Sequence, residues 1–209
     1  MQQFLQQRLE LVKTLSTMSD AHYSDQVLII TAVLSACAAL RWPGNRIDRK
    51  RYIELLAKHS EPDNHSTWVS IPALINNGTI LAKDTPCGKP GHSSRIFRDH
   101  EIDLEITDAA KKYPQVSVND LRKFCYASLI YEWLRCGYSH QYWAHPNSTY
   151  VPPSRCKARV SYITRTSSNG ITKMVHFHID YLLRLAEDQV SKMTLMANPK
   201  PIIWWVDSN

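Results

Sequence analysis

The sequence predicts a mainly α protein: an antiparallel helical bundle with a β-hairpin added near the C-terminus. Three observations predict it. Apolar residues recur at helical spacing over most of the first 75 positions and again over 119–140. Two strand-like runs, "ARVSYITRT" and "ITKMVHFHI", flank "SSNG", and Asn-Gly between such runs signals a hairpin. The chain has 209 residues, 44% of them hydrophobic and 21% charged, so one domain can bury a sizeable core.

The elements follow in order. Phe4, Leu5, Leu9, Leu11, Val12 and Leu15 mark a first helix over 2–17. Ser24 or Asp25 can cap a second, which carries "VLIITAVLSACAAL" to Leu40 before "WPGN" stops it. That run falls short of a membrane span and reads as a buried helix. Asp48 suits the N-cap of a third helix over 49–59, and Ser66 that of a short fourth ending near Ile75. Residues 76–100, with "NNG" and "TPCGKPGHSS", read as a loop-rich insertion. "HEIDLEITDAAKKY" is ambiguous between helix and strand. A long helix then starts at Ser117 or Asn119 and runs through "DLRKFCYASLIYEWLRCGYSH". The hairpin occupies about 157–177, and a last helix starts at Asp180. The apolar tail "NPKPIIWWVDSN" is expected to dock on the body or on a second subunit. The whole chain, 1–209, is read as a single domain.

The net charge of +6 fits a phosphate-rich partner and equally a basic soluble enzyme. Five cysteines without a CxxC argue against a disulfide framework or a structural zinc. The N-terminus lacks an apolar signal core, so a cytoplasmic, soluble protein without a membrane anchor is expected. P-loop, GxGxxG and GxSxG patterns are absent. "HFHID" puts His176 and His178 on one side of a strand, as metal ligands can be. No further histidine or cysteine follows, so satisfied or surface histidines are expected, with no metal and no cofactor.

The chemistry concentrates in "LRCGYSHQY", residues 134–142, at the foot of the long helix. Arg135 and His140 are the candidate catalytic pair. A guanidinium is always charged and clamps phosphate oxygens through a planar fork. An imidazole takes or gives a proton near neutral pH, and RNA carries its own nucleophile, the 2′-hydroxyl. Five residues of ideal helix leave the two side chains about 140° apart. Gly137 can relax the backbone between them, or a second subunit can supply a second pair. Arg95 and His100 have the same spacing but lie beside a Gly/Pro/Ser-rich stretch, without a rigid base. Read alone, Arg135 and His140 also suit the negative end of a helix, with Gly137 as part of its stop.

Glu132, three positions before Arg135, can orient the guanidinium or form a surface ion pair. Arg41, Arg46, Arg49, Lys50 and Arg51, with Trp42, form a basic stretch that can track RNA or simply be solvated. Arg155, Lys157, Arg159 and Arg165 form a second basic group on the hairpin.

"LRCGYSHQY" on a long helix of a bundle resembles the signature of the HEPN superfamily, an arginine followed after four to six residues by a histidine. The resemblance covers about 120–145. It implies a metal-independent endoribonuclease acting as a homodimer, with Arg135 and His140 catalytic, in toxin–antitoxin or anti-phage defence systems. The family also has inactive members that bind RNA or a protein partner. Cys136 stands where asparagine is frequent. Tyr142 completes the longer form R-x4-H-x-Y, in which a nucleotidyltransferase-like antitoxin modifies the tyrosine.

Overall fold

The apolar run at 27–40 becomes the axis of the bundle. The computed structural model describes residues 1–18, 22–89, 92, 95–149, 158–168, 170–195 and 199–208. Helix α1 (Gln2–Met18) lays Leu5, Leu9 and Val12 against α2 (Tyr23–Arg41). Helix α2 buries Val27, Ile30, Leu34 and Cys37. Among the described residues it is the one helix apolar and long enough to cross a membrane, and half of its apolar window is buried inside the protein. Helix α3 (Asp48–His59) packs on α2 through Tyr52, Ile53, Leu55 and Leu56. Ser70, not Ser66, caps the short α4 (Ile71–Asn76), its Oγ accepting from the Ala73 N–H at 3.3 Å.

The described residues of the insertion at 76–100 carry short regular elements. Two single 3₁₀ turns, Ala82–Asp84 and Pro86–Gly88, lead to strand β1 (Phe97–Arg98). The ambiguous stretch after it forms two short helices, α5 (Asp99–Ile102) and α6 (Ile106–Lys112).

The expected long helix is broken. Helix α7 (Val118–Lys123) ends before Cys125, whose backbone is extended at φ −69°, ψ 152°. The segment 66–70 intervenes. Ser70 N–H donates to Phe124 O (3.0 Å), while Tyr126 and Ala127 donate to Trp68 O and Ser66 O. These long-range bonds replace helical ones at the break, and periodicity cannot foresee them. Beyond it the rod resumes as α8 (Tyr126–Leu129), a π-helical segment Ile130–Arg135 and α9 (Cys136–Gln141).

The hairpin forms as β2 (Val160–Ser167) and β3 (Gly170–Phe177), paired from Val160↔Phe177 to Ser167↔Gly170. Asn169 lies outside the described residues. β1 adds to β2, so the hairpin is part of a three-stranded antiparallel sheet, β1-β2-β3. Helix α10 (Ile179–Ser191) returns to pack Tyr181, Leu182, Leu185 and Ala186 against the bundle.

Beneath the sheet, Asp103 is buried and accepts hydrogen bonds from the Tyr126 and Tyr162 hydroxyls and from the Ile71 N–H (3.0 Å). One carboxyl thus joins α4, α8 and β2. The tail docks on the body. Trp204, Trp205 and Val206 are buried, and Trp205 N–H donates to Glu54 Oε2 (2.5 Å). Arg122 covers the Trp205 ring at 5.4 Å, and Trp42 meets Trp204 edge to face.

Candidate active site

The site begins with the π-helical segment. A hydrogen bond that reaches back five residues, as Cys136 N–H to Tyr131 O does, widens the turn, and such bulges recur at functional sites. It fixes Tyr131 beneath Arg135, whose guanidinium lies 5.4 Å from the Tyr131 ring centroid. Tyr131 meets Tyr52 of α3 edge to face, at 5.3 Å between centroids. Arg135 is therefore half-buried on an aromatic floor. Burial and then Cys136 push the Tyr131 phenol up to about 12, so it stays neutral.

Arg135 has no counter-charge among the described residues. Among the described residues its guanidinium meets no carboxylate and donates no hydrogen bond. Glu132, the obvious local partner, is held instead by Arg49 of α3, with Nε 2.5 Å from Oε1. Glu132 does form a surface ion pair, but with Arg49 of α3 and not with Arg135. Cys136 is half-buried at the start of α9, beside Tyr131.

His140 lies in the last turn of α9, exposed, with no hydrogen bond or ion pair among the described residues. The backbone at Arg135 and Cys136 is helical, and α9 runs regularly to Gln141. Gly137 thus does not bend the rod toward convergence. At the pitch of an ideal α-helix, residues five apart such as Arg135 and His140 leave the rod about 140° apart.

The role of Gly137 is different. Tyr142, at φ 52° and ψ 31°, reverses the chain, and its N–H closes the helix on Tyr138 O. The chain then folds back along the rod. A Cβ on Gly137 would sit 2.6 Å from the Trp143 carbonyl oxygen. The His145 ring stacks on Trp133, 4.8 Å between centroids and 3° from parallel. The Tyr142 hydroxyl donates to Asp25 of α2, whose other oxygen lies 3.4 Å from His22 Nδ1. That carboxylate raises the Tyr142 phenol above its ordinary value.

The basic stretch is mostly committed within the fold. Arg41 donates to His59 Nδ1 (2.9 Å), and Lys50 pairs with Asp207 of the tail (2.7 Å). Arg51 pairs with Asp48 and caps Trp42 O and Gly44 O, and Arg49 holds Glu132. Arg46 is exposed at φ 62° and makes no ion pair among the described residues. Of the second basic group, Arg155 and Lys157 lie outside the described residues. Arg159 turns inward, with Nε 2.7 Å from Asp99 Oδ2.

His176 and His178 are buried and satisfied. His176 Nδ1 bonds Thr149 O (3.0 Å), and His178 Nε2 lies 2.8 Å from Ser161 Oγ. Among the described residues no three His, Cys, Asp or Glu side chains gather where a metal would sit. Sequence reasoning missed Tyr131, Asp25 and Trp143. Only Trp143 left a local signal, an aromatic directly after the motif. Comparison with family models, with curated proteins and with solved structures finds no match to this chain.

Proposed function

We propose that the chain is a metal-independent endoribonuclease of HEPN type, with Arg135 and His140 as its catalytic pair. One observation carries the reading: among the described residues, Arg135 is half-buried on Tyr131 with no carboxylate beside it, five residues from an exposed histidine that makes no hydrogen bond or ion pair. A guanidinium withdrawn from water with its donors unspent is prepared for an anion.

In this mechanism His140 takes the proton of the RNA 2′-hydroxyl as that oxygen attacks the adjacent phosphorus. Arg135 neutralises the charge that builds on the non-bridging oxygens. The 5′-oxygen leaves with a proton returned by an imidazole, giving a 2′,3′-cyclic phosphate and a 5′-hydroxyl. The 140° separation within one rod favours a homodimer, in which Arg135 of one copy faces His140 of the other. A toxin–antitoxin or anti-phage setting, with a partner that restrains the nuclease or modifies Tyr142, fits this activity.

The test is cleavage of labelled RNA by the wild type, His140→Ala and Arg135→Ala in EDTA. The expected result is loss of cleavage in both variants, with their circular dichroism unchanged, and no cleavage of DNA. Persistent cleavage by His140→Ala overturns the assignment. RNA binding without products, indifferent to His140→Ala, would instead establish the alternative, a catalytically inactive module that binds RNA or a protein partner.

A further inference from the structure

We infer that Arg49 is a positioning residue: by holding Glu132, it keeps the Arg135 guanidinium open to an RNA phosphate. The inference rests on the nuclease reading and adds what keeps its phosphate clamp available. Arg49 stands in the first turn of α3. Tyr52, three residues on, shares its side of that helix and meets the Tyr131 ring edge to face, 5.3 Å between centroids. That contact sets the start of α3 against the π-helical segment, and Arg49 reaches the residue after Tyr131. Its Nε lies 2.5 Å from Glu132 Oε1.

The other cations of this turn are engaged elsewhere. Lys50 pairs with Asp207, and Arg51 pairs with Asp48 and donates to the Trp42 and Gly44 carbonyls. Among the described residues Arg49 is thus the one cation paired with Glu132. The two side chains are 40% and 42% exposed, so replacing either leaves the core untouched.

Glu132 is the carboxylate nearest to Arg135 in the chain, three residues before it. A carboxylate one turn N-terminal to a cation pairs with it on a helix surface. The wider π turn offsets the two, and their flexible stems take up the offset. The Tyr131 phenol senses both charges: after burial and Cys136, Arg135 lowers its pKa and Glu132 raises it. Released from Arg49, Glu132 turns to Arg135 and competes with phosphate for the same N–H donors.

The experiment measures binding of a fluorescein-labelled single-stranded RNA at one salt concentration, in the uncleaving His140→Ala background. Adding Arg49→Gln is expected to weaken binding about fivefold, the upper end for an exposed ion pair. Arg49→Lys keeps the pair and retains the affinity. Glu132→Gln alone changes little, and Arg49→Gln with Glu132→Gln together bind like the parent. In an Arg135→Gln background, Arg49→Gln has no further effect. A double variant as weak as Arg49→Gln, or an equal loss without Arg135, would mean that Arg49 meets the RNA itself and overturns the inference. Cleavage by the His140-intact chain is read separately. A chain that shows this binding pattern but yields no products refutes the nuclease and keeps the role of Arg49. One that cleaves RNA, with the double variant no better than Arg49→Gln, does the reverse. RNA binding indifferent to Arg135 overturns both.

Discussion

Gly137→Ala decides whether the loop after the motif truly lies on the rod. On an isolated helix the change stabilises by about 1 kcal/mol, because alanine is the better helix former. Here the new methyl would stand 2.6 Å from the Trp143 carbonyl oxygen, a backbone atom that cannot rotate away. Ordinary carbon–oxygen contacts lie near 3.3–3.6 Å, so the loop must retreat by roughly 0.7 Å. The His145 N–H···Trp133 O bond, already 3.4 Å, breaks first, and the Tyr142 N–H···Tyr138 O bond at 3.2 Å is strained. Each such bond is worth about 1 kcal/mol net, and loosening the Trp133–His145 stack forfeits about 0.5–1.5 kcal/mol. The losses exceed the propensity gain, leaving a net destabilisation of about 1–2 kcal/mol and a fall in Tm of about 2–8 °C for a chain of this size. Urea unfolding followed by circular dichroism measures the first, and a thermal melt the second. Gly137→Ala as stable as the wild type, or more so, would refute the packing.

Three further outcomes follow from the core. Burial raises the Asp103 carboxyl to about 8, above its ordinary 3.8. The folded state therefore binds this proton more tightly than the unfolded one, and the stability it contributes is complete below about pH 4 and lost as pH rises toward 8. Asp103→Asn should flatten that part of a stability-versus-pH series measured by urea unfolding; an unchanged slope would sink the assignment. Burial lowers His176, and burial with Arg41 lowers His59, each to about 4. Their contribution is present above about pH 6.5 and lost as pH falls toward 4, so NMR should find both imidazoles neutral at pH 5, and a charged one at that pH would contradict their burial. Trp205→Ala should destabilise by about 3–5 kcal/mol, since the indole is buried between α3 and α7; a denaturation midpoint that does not move would mean that the tail is not docked.

The parts legible in the sequence were those set by near neighbours. The apolar spacing of α1, α2 and α3 needs only residues three and four apart, and the hairpin needs only its two flanking runs and a turn. The position of Arg135 and His140 on an apolar rod was legible for the same reason. What stayed hidden depended on distant partners. The break at Phe124–Cys125 is imposed by the segment 66–70, and β1 becomes a strand only because β2 offers it an edge.

The same division runs through the site. The sequence by itself determined that a guanidinium and an imidazole stand at the end of a buried rod, because helix periodicity places them there whatever surrounds it. Only the tertiary structure decided which charges remain available. Arg49 crosses from α3 to claim Glu132, so that among the described residues Arg135 meets no carboxylate, while Asp207 of the tail occupies Lys50. It also gave Gly137 its role, as the gap that admits the Trp143 backbone. Pairing and close approach depend on distances between residues far apart in the chain, and a linear pattern holds no measure of those distances.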